Sequence, residues 1–166
     1  DFGVGRDRWP FLFSPSTTDR NGVELRQAAF RANTMVMNAI FNLLASRCDD
    51  AGFTHADRDD INKWARERGL SLPDFLDRIG FEIADRYQAG QHTFQFCDSL
   101  VNDLWCALIE LVVKNDDLRW PDDFYEVYEA FDAGEFHRLP DKSDDPESDF
   151  TKPLVAAFLA RKADRL

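Results

Sequence analysis

The chain has 166 residues, a formal charge of −11, 44% apolar and 31% charged residues, and 15 Phe with 4 Trp. That composition excludes the low-hydrophobicity disordered class and suits a single globular domain, 1–166, large enough to bury a core without disulfide staples. No apolar run reaches the roughly 18 residues of a membrane span, and no basic-then-apolar leader opens the chain. Cys48, Cys97 and Cys106 form neither an even set nor a CxxC pair, which reads as reduced thiols in a cytoplasmic protein. A chain opening at Asp1 rather than Met is also compatible with removal of a leading segment.

The opening DFGVGRDRWPFLFSPSTTDR has two Gly, two Pro and no helical period, so it reads as an extended aromatic arm, 1–20. Asn21, with Glu24 three residues on, forms a variant capping box that starts a first helix over about 22–47, stopped near Gly52. Thr54 and Asp57 open a second helix to about Arg68, with Gly69 just past its end. Ser71 caps a third, which carries Pro73 in its first turn, the stripe Leu72, Leu76, Ile79, Ile83 and Tyr87, and Gly90 as its stop. Gly80 in its middle marks a kink or a close crossing. Thr93 caps a fourth helix over about 94–115.

Pro121 starts a fifth helix, with acids in its first turn and Gly134 as its stop. An acidic loop, 135–150, leads to a sixth over about 152–164, opened by Thr151, with Leu154, Val155, Phe158 and Leu159 inward. ADRYQAGQH at 84–92 and EAFDAGEFH at 129–137 share an aromatic-x-Ala-Gly core, which reads as two helices ended by a left-handed glycine. The fold expected is all-α: an irregular bundle of about six helices, with 22–47 and 94–115 at its centre and the extended aromatic N-terminal arm over one side.

Two long helices carry polar groups in the wrong place. At about 100° per residue, the fourth puts Phe94, Cys97, Leu100, Leu104, Trp105 and Leu108 on one broad apolar face. Asp98 falls inside that face and Asn102 at its edge, while Asp103 and Glu110 point outward. The first helix similarly projects Arg26 and Asn33 among its apolar residues. An unpaired carboxylate is too expensive to bury, so Asp98 must be paired, protonated or at the rim. Arg26, Asn33, Asp98 and Asn102 are therefore a candidate buried polar cluster or pocket, and the reading favours a clasp between helices over a catalyst.

The charge is concentrated. Between 116 and 149 stand thirteen Asp and Glu against Arg119, Arg138 and Lys142, which leaves the remainder of the chain close to neutral. In 121–133, Phe124, Val127, Tyr128 and Phe131 take the inward face; Asp122, Glu126, Glu129 and Asp132 span the outer one, with Tyr125 projecting among them. An aromatic ringed by carboxylates is a docking anchor for a basic protein, and the same charge disfavours direct binding of nucleic acid.

No motif ties the chain to a known family, and no catalytic residue is singled out. GxSxG, GxGxxG, a P-loop and HExxH are absent, His55, His92 and His137 lack ligand spacing, and DKSDDPESD at 141–149 lacks the glycine of a calcium loop. No cofactor and no metal are expected, and a homodimer is compatible with the aromatic richness. The sequence thus points to an acidic helical protein-binding module, such as an inhibitor or immunity-type protein, that holds a basic partner. The alternative is a small-molecule-binding or hydrolytic domain with its polar pocket around Asp98.

Overall fold

The computed structural model describes residues 18–113 and 118–164, with side chains from Thr34 onward and, before it, that of Glu24. By its internal contacts the chain divides into two units. The first, Asp1–Val36, contributes the helical stretch from Thr18; the second, Met37–Leu166, holds the described hydrophobic core. Six α-helices and no strand occur among the described residues: α1 Thr18–Arg47, α2 Arg58–Glu67, α3 Leu72–Gln88, α4 Phe94–Val112, α5 Asp122–Glu135 and α6 Lys152–Ala163. The fold is all-α. Residues 1–17 of the expected arm lie outside the described residues, and 18–20 are already helical, so Asn21 sits within α1 instead of capping it.

Local chemistry accounts for most helix ends. Asp57 accepts from Asp60 N at the start of α2, Ser71 from Asp74 N at the start of α3, and Thr93 from Phe96 N at the start of α4. Gly69 (φ +63°) and Gly90 (φ +67°) close α2 and α3 in the left-handed conformation. Thr54, expected to open α2, does something else. It is fully buried, its backbone N–H donates to Ser99 Oγ (3.0 Å), and its hydroxyl donates to Asp103 Oδ2 (2.8 Å), which also accepts from Ala56 N (2.8 Å). Asp103 is thereby the clasp between α4 and the α1–α2 loop, although its helical angle pointed it outward.

The most extensive pairing in the second unit is α3 with α5. Pro121 offers α5 no side-chain cap. Asp77 of α3 supplies one from outside: its Oδ1 accepts from both Asp123 N and Phe124 N at 3.1 Å, and its Oδ2 takes Arg119 Nη2 at 2.8 Å. One turn along, a Cβ on Gly80 would stand 3.1 Å from Phe124 Cα, so the glycine allows α5 to lie directly on α3. Phe124, Val127 and Phe131 then fill the core beside Leu76, Ile79 and Ile83.

Gly134 is not the stop that its echo with Gly90 suggests. It lies inside the last turn of α5 without positive φ, and a Cβ there would overlap Thr151 Oγ1 and stand 2.8 Å from the Phe94 ring. Its role is close approach. Thr151 belongs to a π-turn, Glu147–Thr151, that runs straight into α6, so the helical segment begins within the expected acidic loop. In α6, Val155 and Phe158 are buried and Leu159 half-buried, but Leu154, expected inward, is exposed.

These contacts give two expectations for urea unfolding followed by circular dichroism. Asp77→Ala loses about 1–2 kcal/mol, the value of a helix cap. Gly90→Ala, with nothing near its Cβ, loses about 1 kcal/mol from backbone strain alone, whereas Gly134→Ala loses about 1–3 kcal/mol through steric overlap. Equal losses at the two glycines would contradict their different roles.

Candidate functional site

Helices α4 and α5 bring a second set of residues to a face that is only half-covered. On α5, Tyr125, Tyr128, Asp132 and Glu135 recur at helical spacing along one stripe; on α4, Asp98, Asn102 and Trp105 face them. Trp105 stacks on Tyr128 with ring centroids 4.3 Å apart and planes 13° from parallel. Tyr125 lies 5.7 Å from Trp105, and Trp120 meets Trp105 edge-on at 6.1 Å and Tyr125 at 5.5 Å. All four rings stay partly exposed. Together they form an aromatic platform whose indole and phenol edges are wet and whose bodies are packed.

Carboxylates border the platform. Asn102 Nδ2 donates to Glu135 Oε1 at 3.0 Å and, more weakly, to Asp98 Oδ1 at 3.5 Å, so one amide holds two acids together. Partial burial pushes the Asp98 carboxyl up to about 7, aided by the neighbouring Glu135 charge, the hydrogen bond the two acids share, and Asp132. Asp98 thus keeps its proton well above the usual carboxylate range. Tyr125 donates to Glu129, which raises the Tyr125 phenol, and burial with Asp132 and Glu135 raises Tyr128.

The residues singled out from sequence divide. Tyr125, Glu129, Asp132, Asp98 and Asn102 come together here. Glu126 does not remain on a free outer face: it pairs with Arg161 of α6, as Asp123 does with Lys162. Asp122 is exposed at the first turn of α5. The Arg26 and Asn33 side chains lie outside the described residues. Trp105, Trp120, Tyr128 and Glu135 are the members that the sequence reading missed: helical angle sends Trp105 and Tyr128 to the core, and Glu135 falls in the expected loop. The available signal was the spacing 125, 128, 132, 135, which places two tyrosines and two acids on one stripe.

In the acidic loop the carboxylates find partners close by. Asp144 accepts from Arg138 N (2.6 Å) and from His137 Nδ1, and Asp145 from Ser148 N, so the acidic loop folds its carboxylates back onto its own backbone. His92 stacks on Phe96 (4.3 Å) and on Phe41 (5.3 Å), and burial lowers its affinity for a proton. It lines an open cleft of about 550 Å³ with Tyr87, Thr93, Phe94, Glu147 and Lys152, where Tyr87 donates to Glu147 at 2.7 Å and Lys152 stands 3.6 Å from the same carboxylate. No cluster of three or more His, Cys, Asp or Glu suited to a metal ion occurs among the described residues, and no described helix is long and apolar enough to cross a membrane.

Compared with known proteins, the chain matches no family model, no curated protein and no solved structure, so the functional reading rests on the geometry.

The raised Asp98 carboxyl has a thermodynamic signature. A carboxyl that binds its proton more tightly folded than unfolded destabilises the fold progressively as pH rises from about 4 through about 7. Asp98→Asn removes that dependence. Relative to wild type the variant should gain about 1–2 kcal/mol between about pH 5 and about pH 8, less than a fully enclosed carboxyl would show because solvent reaches the pair. A stability difference that is flat over this range in paired urea titrations would rule the raised Asp98 carboxyl out.

Proposed function

We propose that this is an acidic helical protein-binding module that holds a basic partner on the α4–α5 face, as an inhibitor or immunity-type protein does. The observation that supports the reading most is the half-exposed platform of Trp105, Trp120, Tyr125 and Tyr128, bordered by Glu129, Asp132 and the Asp98–Glu135 pair, with no cation paired to these acids among the described residues. Large, rigid aromatic rings lose little entropy on contact and dominate interface energetics. An arginine laid over an indole gains about 0.5–2 kcal/mol from the ring face, and its fork suits a neighbouring carboxylate. The surrounding negative field speeds the encounter and selects against acidic competitors.

A second reading, a small-molecule or hydrolytic pocket around Asp98, is favoured by one fact only: a carboxyl that keeps its proton near neutrality suits acid–base work. The cleft described above is lined by other residues.

The test is capture of partners from a lysate of the source organism, with three baits. Wild type should retain a basic protein whose binding weakens with salt. The variant Trp105→Ala, Glu129→Gln, Asp132→Asn should lose it by at least about tenfold, while Asp122→Asn, Glu126→Gln should lose little, because Glu126 is already paired. With the purified pair, affinity should rise as pH passes upward through about 7, since a cation on the site favours the doubly ionised acids. Equal capture by all three baits would remove the α4–α5 face from consideration. Loss of turnover or of a small ligand in Asp98→Asn, with the fold intact, would favour the second reading.

A further inference from the structure

Away from the acidic face, three arginines gather around one carboxylate. Arg68 is the C-cap of α2, and Arg78 and Arg86 stand on α3, one turn either side of Glu82. Glu82 serves both α3 arginines, 3.7 Å from Arg78 Nη2 and 3.5 Å from Arg86 Nη2. Arg86 is otherwise engaged: it donates to Asn38 Oδ1 at 2.6 Å, and its guanidinium lies 4.3 Å above the Phe41 ring. Arg68 has no contact of this kind. Among the described residues its guanidinium makes no hydrogen bond and no ion pair, its Nε and Nη1 are buried without an acceptor, and the Nε atoms of Arg78 and Arg86 are in the same condition. Arg78 lies near enough to repel Arg68 electrostatically, with Glu82 giving a smaller attraction.

A guanidinium donor that is shielded from water and given no acceptor is expensive, and a second cation beside it adds to the expense. The arrangement is relieved when an anion completes it. The cluster opens to solvent, since the Arg78 side chain is 41% exposed, and long arginine side chains can turn their unfilled N–H groups outward. The cleft beside Tyr87 shows no comparable deficit, because its lysine already faces its glutamate. We propose that Arg68 and Arg78 form a binding site for a phosphate group, carried by inorganic phosphate or by a small phosphate ester. Three guanidinium groups against Glu82 leave a local charge of +2, which a phosphate dianion matches and a single carboxylate does not. Planar guanidinium forks also present paired donors to tetrahedral oxyanions. This site has the opposite sign to the α4–α5 face and is independent of that face's role.

The test is titration of the full chain with inorganic phosphate and, separately, with glycerol phosphate, at constant ionic strength, followed by phosphorus NMR and calorimetry. At least one probe should saturate with a Kd below about 1 mM. Arg78→Lys, which keeps the charge but removes the fork, should weaken binding by about tenfold, as should Arg68→Gln. Tighter binding of the ester identifies an ester as the occupant, and tighter binding of the free ion identifies the ion. Failure of both probes to saturate below about 1 mM overturns the proposal, as does affinity retained in both variants. If Arg68→Gln does not fold, the outcome for the half-exposed Arg78→Lys decides.

Discussion

The arrangement depends on how α5 lies on α3. A helix that begins at Pro121 has no cap of its own, and its first N–H groups would be left unsatisfied. Asp77 answers this from the neighbouring helix, while Gly80, one turn further, removes the side chain that would hold the two backbones apart. The two features sit at one crossing and fix both the height and the rotation of α5. Gly134 repeats the device at the other end, where α5 meets the π-turn and the first residue of α4. With both ends set, Tyr125, Tyr128, Asp132 and Glu135 can only face Asp98, Asn102 and Trp105. The α4–α5 face is a consequence of helix contacts made on the far side of α5.

Carboxylates do two kinds of work in this chain, and net charge does not separate them. Asp49, Asp57, Asp77, Asp103 and Asp144 accept from backbone N–H groups and act as local scaffolding. Those on the α4–α5 face lack such donors and gather near one another, so that Asp98 retains a proton that an ordinary carboxyl would have lost. The thirteen acids between 116 and 149 therefore do not form a uniform field. Several in the 141–149 loop are folded inward and partly neutralised by the N–H groups they accept from. Among the described residues, Glu129, Asp132 and the Asp98–Glu135 pair gather near the aromatic platform with no cation paired to them.

Much of the fold was legible because helix signals are local. Ser71, Thr93, Gly69 and Gly90 mark ends by chemistry within one turn of themselves, and the apolar stripes of α3 and α5 follow from spacing. The signals that misled were those whose meaning is set by a distant partner. Gly90 and Gly134 occupy the same local motif, yet one supplies a left-handed turn and the other a gap for Thr151. Asp103 points outward from the axis of α4 but meets a loop that comes to it, and Asp98 points inward but finds Glu135. Helical angle gives the direction of a side chain and says nothing of what waits there. Trp105 shows the converse error: a tryptophan on an apolar stripe was read as core, but its stripe reaches the rim of the bundle.

The Asp98–Glu135 pair clarifies why such a face would be retained. Two acids held together by one asparagine, with a third acid nearby, reduce stability at the pH where the chain is most charged. A cation placed against them would reverse that: it favours ionisation of Asp98, releases its proton, and converts repulsion into attraction. The aromatic platform has the same logic, since rings left half-wet forgo burial energy that a partner can restore. Both features leave the free chain less stable than its own core could make it, and each is relieved by the same kind of occupant, a cationic side chain lying on an aromatic surface. It is the coincidence of the two unmet demands at one place, more than the acidity of the chain as a whole, that favours recognition of a basic protein there.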